Sequence, residues 1–327
     1  MNEDIKTNYH QPVMVDEVLQ LLKPERGGVF VDCTLGGGRH ARALLEQFKA
    51  KNSKCKIKVF GIDRDAEAIE HAKERLNKYD NVILAKDNFV NVNQILEDHK
   101  IGKVGGILVD LGVSSHQLDD AGRGFSFGRW DSSASPQNDN NNCQNDIPLD
   151  MRMDREQDIS AYDVINYYSE RELERIIREY GEERRFRQIA REIVIARKKK
   201  KIETTGELVD IIAGIMTGKL KHGRKHFATN VFRAIRIEVN DELDAISTAL
   251  PIMINKLARG GVLIVISFHS LEDRIVKNMF KSFALEYPAR YQILTKKPLV
   301  PSDAEVESNR RARSAKLRAI TRMDGEL

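Results

Sequence analysis

The residues best placed to do chemistry form one short run, Asp32-Cys33-Thr34-Leu35-Gly36-Gly37-Gly38-Arg39-His40, directly after the apolar stretch Val29-Phe30-Val31. An acid ends a strand-like segment and a glycine run follows. Ala41, Leu44, Leu45 and Phe48 then recur at the spacing of one helix face. Glycines at such a junction let a ligand approach bare backbone, and a helix start offers free N–H groups and a positive dipole end. Gly36, Gly38 and Ala41 fit the dinucleotide pattern G-x-G-x-x-[GA]. The chemistry implied is the binding of a nucleotide-bearing cofactor. A second apolar run, Lys58-Val59-Phe60-Gly61-Ile62, ends at Asp63, where an acid can accept hydrogen bonds from both ribose hydroxyls. Asp65 fits the cap of the next helix, ahead of Ile69, Ala72 and Leu76, so Asp63 is spare for a ligand. NAD and S-adenosylmethionine both carry that ribose, and Asp63 does not separate them. Asp32 stands where enzymes of S-adenosylmethionine often place an acid near the methionine part.

The elements that must hold these residues alternate. Strands are predicted near 28–33, 57–62, 81–85 and 106–110, each too continuously apolar for one-sided burial. With helices between them they imply right-handed crossovers and an α/β fold with a doubly wound, mostly parallel sheet. Ligands of such sheets lie at the carboxyl ends of the strands, and Asp32, Asp63, Asp87 and Asp110 all fall there. Asp87-Asn88-Phe89 suits an adenine, with an acid or amide at its edge and Phe89 against its face.

The next strong strand, 261–267, comes far later than a crossover requires, so the intervening chain is expected to form an inserted helical domain. Ser169 with Glu172, and Thr204 with Glu207, make capping boxes ahead of apolar helical periods, and Gly181 is a plausible stop for the first. Phe186, Ile189, Ala190 and Ile193 mark a third amphipathic helix. The expected division is 1–114 for the first part of the cofactor domain, 115–225 for the helical insertion, and 226–327 for the second part with a basic tail. The polar stretch 131–146 has little to bury and reads as a disordered loop. Asn240 is expected to cap the next helix, Pro251 to kink or restart it, and Gly260-Gly261 to end it. Phe268-His269-Ser270 then opens a further helix at a strand end, facing the same cleft.

Composition narrows the class. The chain has 327 residues, 41% hydrophobic and 31% charged, enough for a sizeable core. Cys33, Cys55 and Cys143 show no metal-ligand spacing, and their odd number argues against a disulfide framework. No cluster has the spacing of a metal site, no apolar run reaches membrane-spanning length, and the polar N-terminus is not a signal peptide. A cytoplasmic protein is expected. The net charge of +4 is mild, but cations cluster at Arg197–Lys201, Lys221–His226 and Arg310–Arg318, a pattern suited to nucleic-acid phosphates.

Taken together these segments resemble the RsmH/MraW family, bacterial methyltransferases that modify the N4 of a cytosine in small-subunit ribosomal RNA. The resemblance rests on His10-Gln11-Pro12-Val13, Asp32 through His40, and Gly61-Ile62-Asp63-Arg64-Asp65. It continues through Asp110-Leu111-Gly112-Val113-Ser114-Ser115-His116-Gln117-Leu118-Asp119, Arg123 to Phe127, and Pro148 to Asp154. Phe232 to Asn240, Ile266 to Arg274 and Arg311 to Arg318 complete it, nearly end to end. It implies a class I S-adenosylmethionine-dependent methyltransferase fold carrying an inserted all-helical, substrate-recognising domain. It implies cofactor contacts from Gly38, Arg39, His40, Asp63, Phe89, Asp110 and Gln117. The implied partner is the small ribosomal subunit with its 16S RNA, with no membrane and with a homodimer allowed. Three positions depart from the family: Arg39 stands where Gly is usual, 131–146 lengthens a short connection, and Asn230 replaces a basic residue. A positive φ at Arg39 would be strained.

Methyl transfer to an exocyclic amine suits this layout. The N4 lone pair is delocalised into the ring, so the enzyme must hold the amine on acceptors and align it. Asp110 and its loop are the expected acceptors, and His269 is the expected proton acceptor, weighed evenly against a structural histidine. Two rivals stay open at this point. A nicotinamide oxidoreductase would use the same glycine loop, and a non-catalytic RNA-binding assembly factor would need only the basic clusters.

Overall fold

The computed structural model describes residues 12–51, 55–127, 147–216 and 226–323. His10, Gln11, the stretch 131–146 with Cys143, and the basic run 221–225 lie outside them. The chain divides into two units, Met1–Gly112 with Leu243–Leu327, and Val113–Glu242.

The first unit is built on one seven-stranded sheet of order β3-β2-β1-β4-β5-β7-β6. Its strands are β1 (Gly28–Asp32), β2 (Ile57–Asp63), β3 (Val82–Lys86), β4 (Val104–Asp110), β5 (Leu257–Ser267), β6 (Tyr291–Ile293) and β7 (Lys316–Arg322). The first five are parallel, and β7 runs antiparallel to both β5 and β6. This is the doubly wound order of class I S-adenosylmethionine-dependent methyltransferases. Helix α1 (Val15–Leu22) precedes β1, and α2 (Arg39–Ala50), α3 (Ala66–Leu76) and α4 (Val92–Asp98) connect the early strands. Two apolar clusters form the core of this unit, which is why its central strands read as unbroken apolar runs. Gly61 matters to the site: a Cβ there would lie 2.6 Å from Leu35, so only glycine lets the loop after β1 close down on β2.

The second unit is helical. It contains α5 (Ser115–Asp119), α6 (Ala161–Tyr167), α7 (Glu170–Glu179), α8 (Phe186–Lys199), α9 (Thr205–Ile215) and α10 (Thr229–Asn240). Both expected capping boxes form, at Ser169–Glu172 and at Thr204–Glu207. The unit extends to Glu242 and does not return to the sheet at 226. The reason is burial: α10 places Val231, Phe232, Ile235 and Val239 in the same apolar cluster as Leu173, Ile189 and Leu208. Asn240 is the last residue of α10. Its Oδ1 accepts the Met153 N–H at 2.8 Å and its Nδ2 donates to the Met151 carbonyl at 2.7 Å, fastening the 151–153 segment to the end of α10.

Two further expectations change. Helix α11 (Glu242–Lys256) runs through Pro251, held by buried Leu250, Met253 and Ile254. It ends at Lys256, and Gly260-Gly261 instead fall inside β5, whose register with β4 shifts between Val104 and Gly106. The basic C-terminal tail is no tail. Arg310–Ser314 is a 3-10 turn, and Lys316–Arg322 is a sheet strand lying between β5 and β6. After β5 come α12 (Ser270–Glu286) and, before that turn, α13 (Asp303–Ser308).

Candidate cofactor site

The glycine loop is built as its residue types require. Gly36 and Gly38 take φ of 50° and 73°, a region that favours glycine, and Gly38 is the N-cap of α2. A Cβ on Gly38 would also press on Leu76 at 3.1 Å and Ala72 at 3.3 Å. Arg39 begins α2 and is not among the residues of positive φ, so the departure from glycine brings no backbone strain.

Asp63 holds this loop to β2. Its Oδ2 accepts the Gly36 N–H at 2.7 Å and its Oδ1 accepts the Asp65 N–H at 2.9 Å. Burial raises its pKa, and these N–H groups offset part of the rise. Asp65 is indeed the cap of α3, accepting the Glu67 N–H. His40 lies in the first turn of α2, buried. Its Nε2 donates to the Val13 carbonyl at 3.0 Å, which leaves Nδ1 without a hydrogen in the neutral ring. Burial lowers its pKa. That Nδ1 lies 3.9 Å from Asp110 Oδ2. Val13 thus orients a ring far along the chain, a role that its apolar side chain does not announce in the sequence.

The acids at the ends of β1 and β4 are the decisive feature. Asp32 is 1% exposed; its Oδ1 accepts the Thr34 N–H at 3.3 Å, and its Oδ2 is buried without a hydrogen-bond partner among the described residues. Asp110 Oδ1 is in the same state. Thr34 links the two strand ends, because its Oγ1 accepts the Asp110 N–H at 2.6 Å. Burial, with a smaller contribution from Asp63, lifts Asp32 to about 7. Burial, then the charges of Asp32 and Glu272, push Asp110 well above the usual carboxylate range. Two adjacent buried acids with unused oxygens fit a ligand that brings positive charge and N–H donors. S-adenosylmethionine, with a sulfonium and an ammonium, is such a ligand. A nicotinamide cofactor offers these acids no ammonium.

The remaining predicted residues are placed as follows. Phe89 begins a 3-10 turn after β3 and lies half-buried against the core. Asn88 Oδ1 caps that turn, and Asp87 Oδ1 accepts from Asn88 N–H and Asn91 Nδ2 at 2.7 Å each. Gln117 belongs to the helical unit, where it is buried and its Oε1 accepts the Ser114 N–H at 3.0 Å in a capping box. His269 is the N-cap of α12. Its Nδ1 accepts the Glu272 N–H at 3.4 Å and its Nε2 faces Glu272 Oε1 at 3.2 Å. Nδ1 is thereby engaged at the helix start, while Nε2 is buried without a hydrogen-bond partner among the described residues.

Of the basic clusters, Arg197 donates to the carbonyls of Ile165 and Tyr168 at 2.6 and 2.5 Å, finishing α6. Arg318 is buried and paired to Asp273 through Nε at 2.6 Å. Arg310, Arg311 and Arg313 are exposed. Asn230 donates to Glu183 Oε2 at 3.0 Å inside the helical unit.

A family model, the MraW methylase family, matches residues 7–323. The chain belongs to that family. It is 45% identical to the ribosomal RNA small subunit methyltransferase H of Clostridium botulinum strain Kyoto, over 96% of this chain and 99% of that one. It is 46% identical to the same-named protein of Sulfurihydrogenibium, over 96% and 99%, and 42% to that of Fusobacterium nucleatum, over 98% and 99%. A solved rRNA methylase from Streptococcus thermophilus is 10% identical, with a TM-score of 0.41 over 95% of this chain and 94% of that one. Family membership removes the oxidoreductase reading. Among the described residues, no helix is long and apolar enough to cross a membrane.

Proposed function

We propose that the chain transfers the methyl group of S-adenosylmethionine to the exocyclic N4 of a cytosine in the 16S RNA of the small ribosomal subunit, in the cytoplasm. The observation that carries the reading is the Asp32–Asp110 pair, buried beside the glycine loop with unused oxygens, in a full-length member of the MraW methylase family. When bound, the cofactor supplies an electrophilic methyl group. The chain's residues do the rest. Gly36 and Gly38 open the loop, Asp63 is the acid for the ribose, and Phe89 offers a face to the adenine. Arg39 and His40 begin the helix that faces the cofactor, and Gln117 is carried over from the family as a further contact.

Asp110 is the best-supported acceptor for the amine. A carboxylate whose pKa is raised by burial is a stronger base than an ordinary one, which suits it to receive the N4 proton. His269 is the alternative acceptor: its Nδ1 serves the start of α12, and its buried Nε2 makes no hydrogen bond among the described residues. The helical unit and the exposed arginines of the 310–313 turn supply phosphate contacts, so affinity for RNA should fall steeply with salt.

The test is incubation with methyl-labelled S-adenosylmethionine and small subunits lacking the modification, followed by digestion to nucleosides and mass spectrometry. N4-methylcytidine is expected. Label in another nucleoside would overturn the target atom and keep the cofactor. No label and no cofactor binding would leave an assembly factor as the better reading.

A further inference from the structure

A second concave site lies in the sheet unit, away from the acids. It is a cavity of about 430 Å³ between α12 and the β6 edge, within the size range of small-ligand pockets. Phe280, Ala284, Tyr291 and Ile293 give it an apolar lining. Lys277 and Lys281, one turn apart on α12, stand at it with Lys296 from the segment after β6. All three lysines are exposed, and none makes an ion pair or hydrogen bond with another described residue. Arg318 contributes to the lining, but Asp273 already holds it and also has Lys316 at 3.6 Å. That carboxylate is therefore saturated, and the three ammonium groups keep their charge for something else.

Apolar walls under a rim of uncompensated cations match a group that is flat and apolar at one end and anionic at the other. A nucleotide is such a group. The β6 edge is three strands beyond β4, which carries Asp110, roughly 14 Å at ~4.8 Å per strand, so the cavity is set apart from the acids. We propose that it seats a nucleotide of the RNA substrate other than the one methylated, with flanking phosphates on Lys277, Lys281 and Lys296. The proposal rests on the RNA-methylating reading above. The seated nucleotide would fix where the strand crosses the sheet edge.

The test uses the full chain and a single-stranded oligonucleotide carrying the target sequence, read by fluorescence anisotropy across salt. The triple variant Lys277→Glu, Lys281→Glu, Lys296→Glu should weaken binding at least about tenfold at low salt and flatten the salt slope by roughly 0.7 for each phosphate no longer neutralised. The Lys→Arg triple should bind as the parent does, and the affinity for S-adenosylmethionine should stay unchanged in both. Ala284→Trp, which fills the cavity and keeps its charges, should weaken binding with the slope preserved. A charge-reversed variant that binds RNA like the parent overturns the proposal, as does a filled variant with undiminished affinity. A parent chain that binds no RNA at all overturns the functional reading instead.

Discussion

Two sets of acids in the sheet unit behave in opposite ways. Asp273 is half-buried and carries its cations: Arg318 lies at 2.6 Å and Lys316 at 3.6 Å. Burial alone would raise its pKa, but those cations outweigh it and hold the carboxyl below the usual range. Asp32 and the Oδ1 of Asp110 are buried, and among the described residues no cation pairs with either acid; burial raises both. The helical unit repeats the first pattern at Asp150, whose carboxylate takes Arg152 at 2.8 Å and is likewise lowered against the effect of burial. An acid that serves the fold brings its counter-charge with it. An acid left without one lowers stability, and it persists where a ligand completes it.

The largest effect that would break this contrast is at Asp32. Asp32→Asn should lower affinity for S-adenosylmethionine by about a hundredfold, as expected for removing a buried charge partner. It should leave the unliganded chain at least as stable, because it deletes an unpaired buried charge. Titration calorimetry and thermal melting on the same sample check both. A variant that binds normally, or that unfolds, would mean Asp32 belongs to the structural class. The mirror experiment is Arg318→Met. Losing Arg318 leaves Asp273 only the partly exposed Lys316 and should destabilise the unit by about 2 kcal/mol, as for removing one partner of a charged hydrogen bond. Denaturant midpoints measure it, and an unchanged midpoint would remove the distinction between the two sets.

The pH dependence sharpens the same point. Asp32 moves from 3.8 to about 7 on folding, so the folded chain keeps a proton that the unfolded chain has lost between those values. Its contribution to stability is therefore full at low pH, falls as pH rises through that window, and is flat above about 7. A cationic ligand needs the charged form. Affinity for S-adenosylmethionine should drop about tenfold per pH unit below pH 7, and the melting shift on binding should grow between pH 6 and pH 8. Equal shifts at both values would mean the ligand does not meet this acid.

Much of this is legible in the sequence, and the failures have physical causes. Strands β1, β2, β4 and β5 appear as apolar runs because their residues are buried on both faces of the sheet. The glycine loop and the acids at strand ends appear because backbone approach and charge need those residue types. β7 is hidden. Its Lys-Leu-Arg-Ala-Ile-Thr-Arg carries three cations, and nothing local says that Arg318 is neutralised by Asp273, 45 residues away. β6 is three residues long, too short for any period to show. The return from the helical unit is expected too early because α10 is amphipathic like a sheet-covering helix, and only its packing partners assign it. His40 is singled out by the family resemblance as a candidate cofactor residue, but its anchor, the Val13 carbonyl, carries no side-chain signal at all.

The smallest effect is at His269, and it decides between two readings the sequence weighs evenly. As the N-cap of α12, its Nδ1 takes one of the helix's free N–H groups, the job usually done by Ser, Thr, Asp or Asn. His269→Ala should then cost about 1 kcal/mol of stability. His269→Asn, whose carboxamide oxygen can accept the same N–H, should recover most of it. Neither should shift the pH profile of methylation at saturating substrate, because no titrating group of the reaction has been removed. A proton acceptor would behave otherwise: Asn would rescue stability but not rate, and the acidic limb of the profile would move. The stability of the two variants together with their pH–rate curves therefore separates a cap from a base, since Asn can replace the first and not the second.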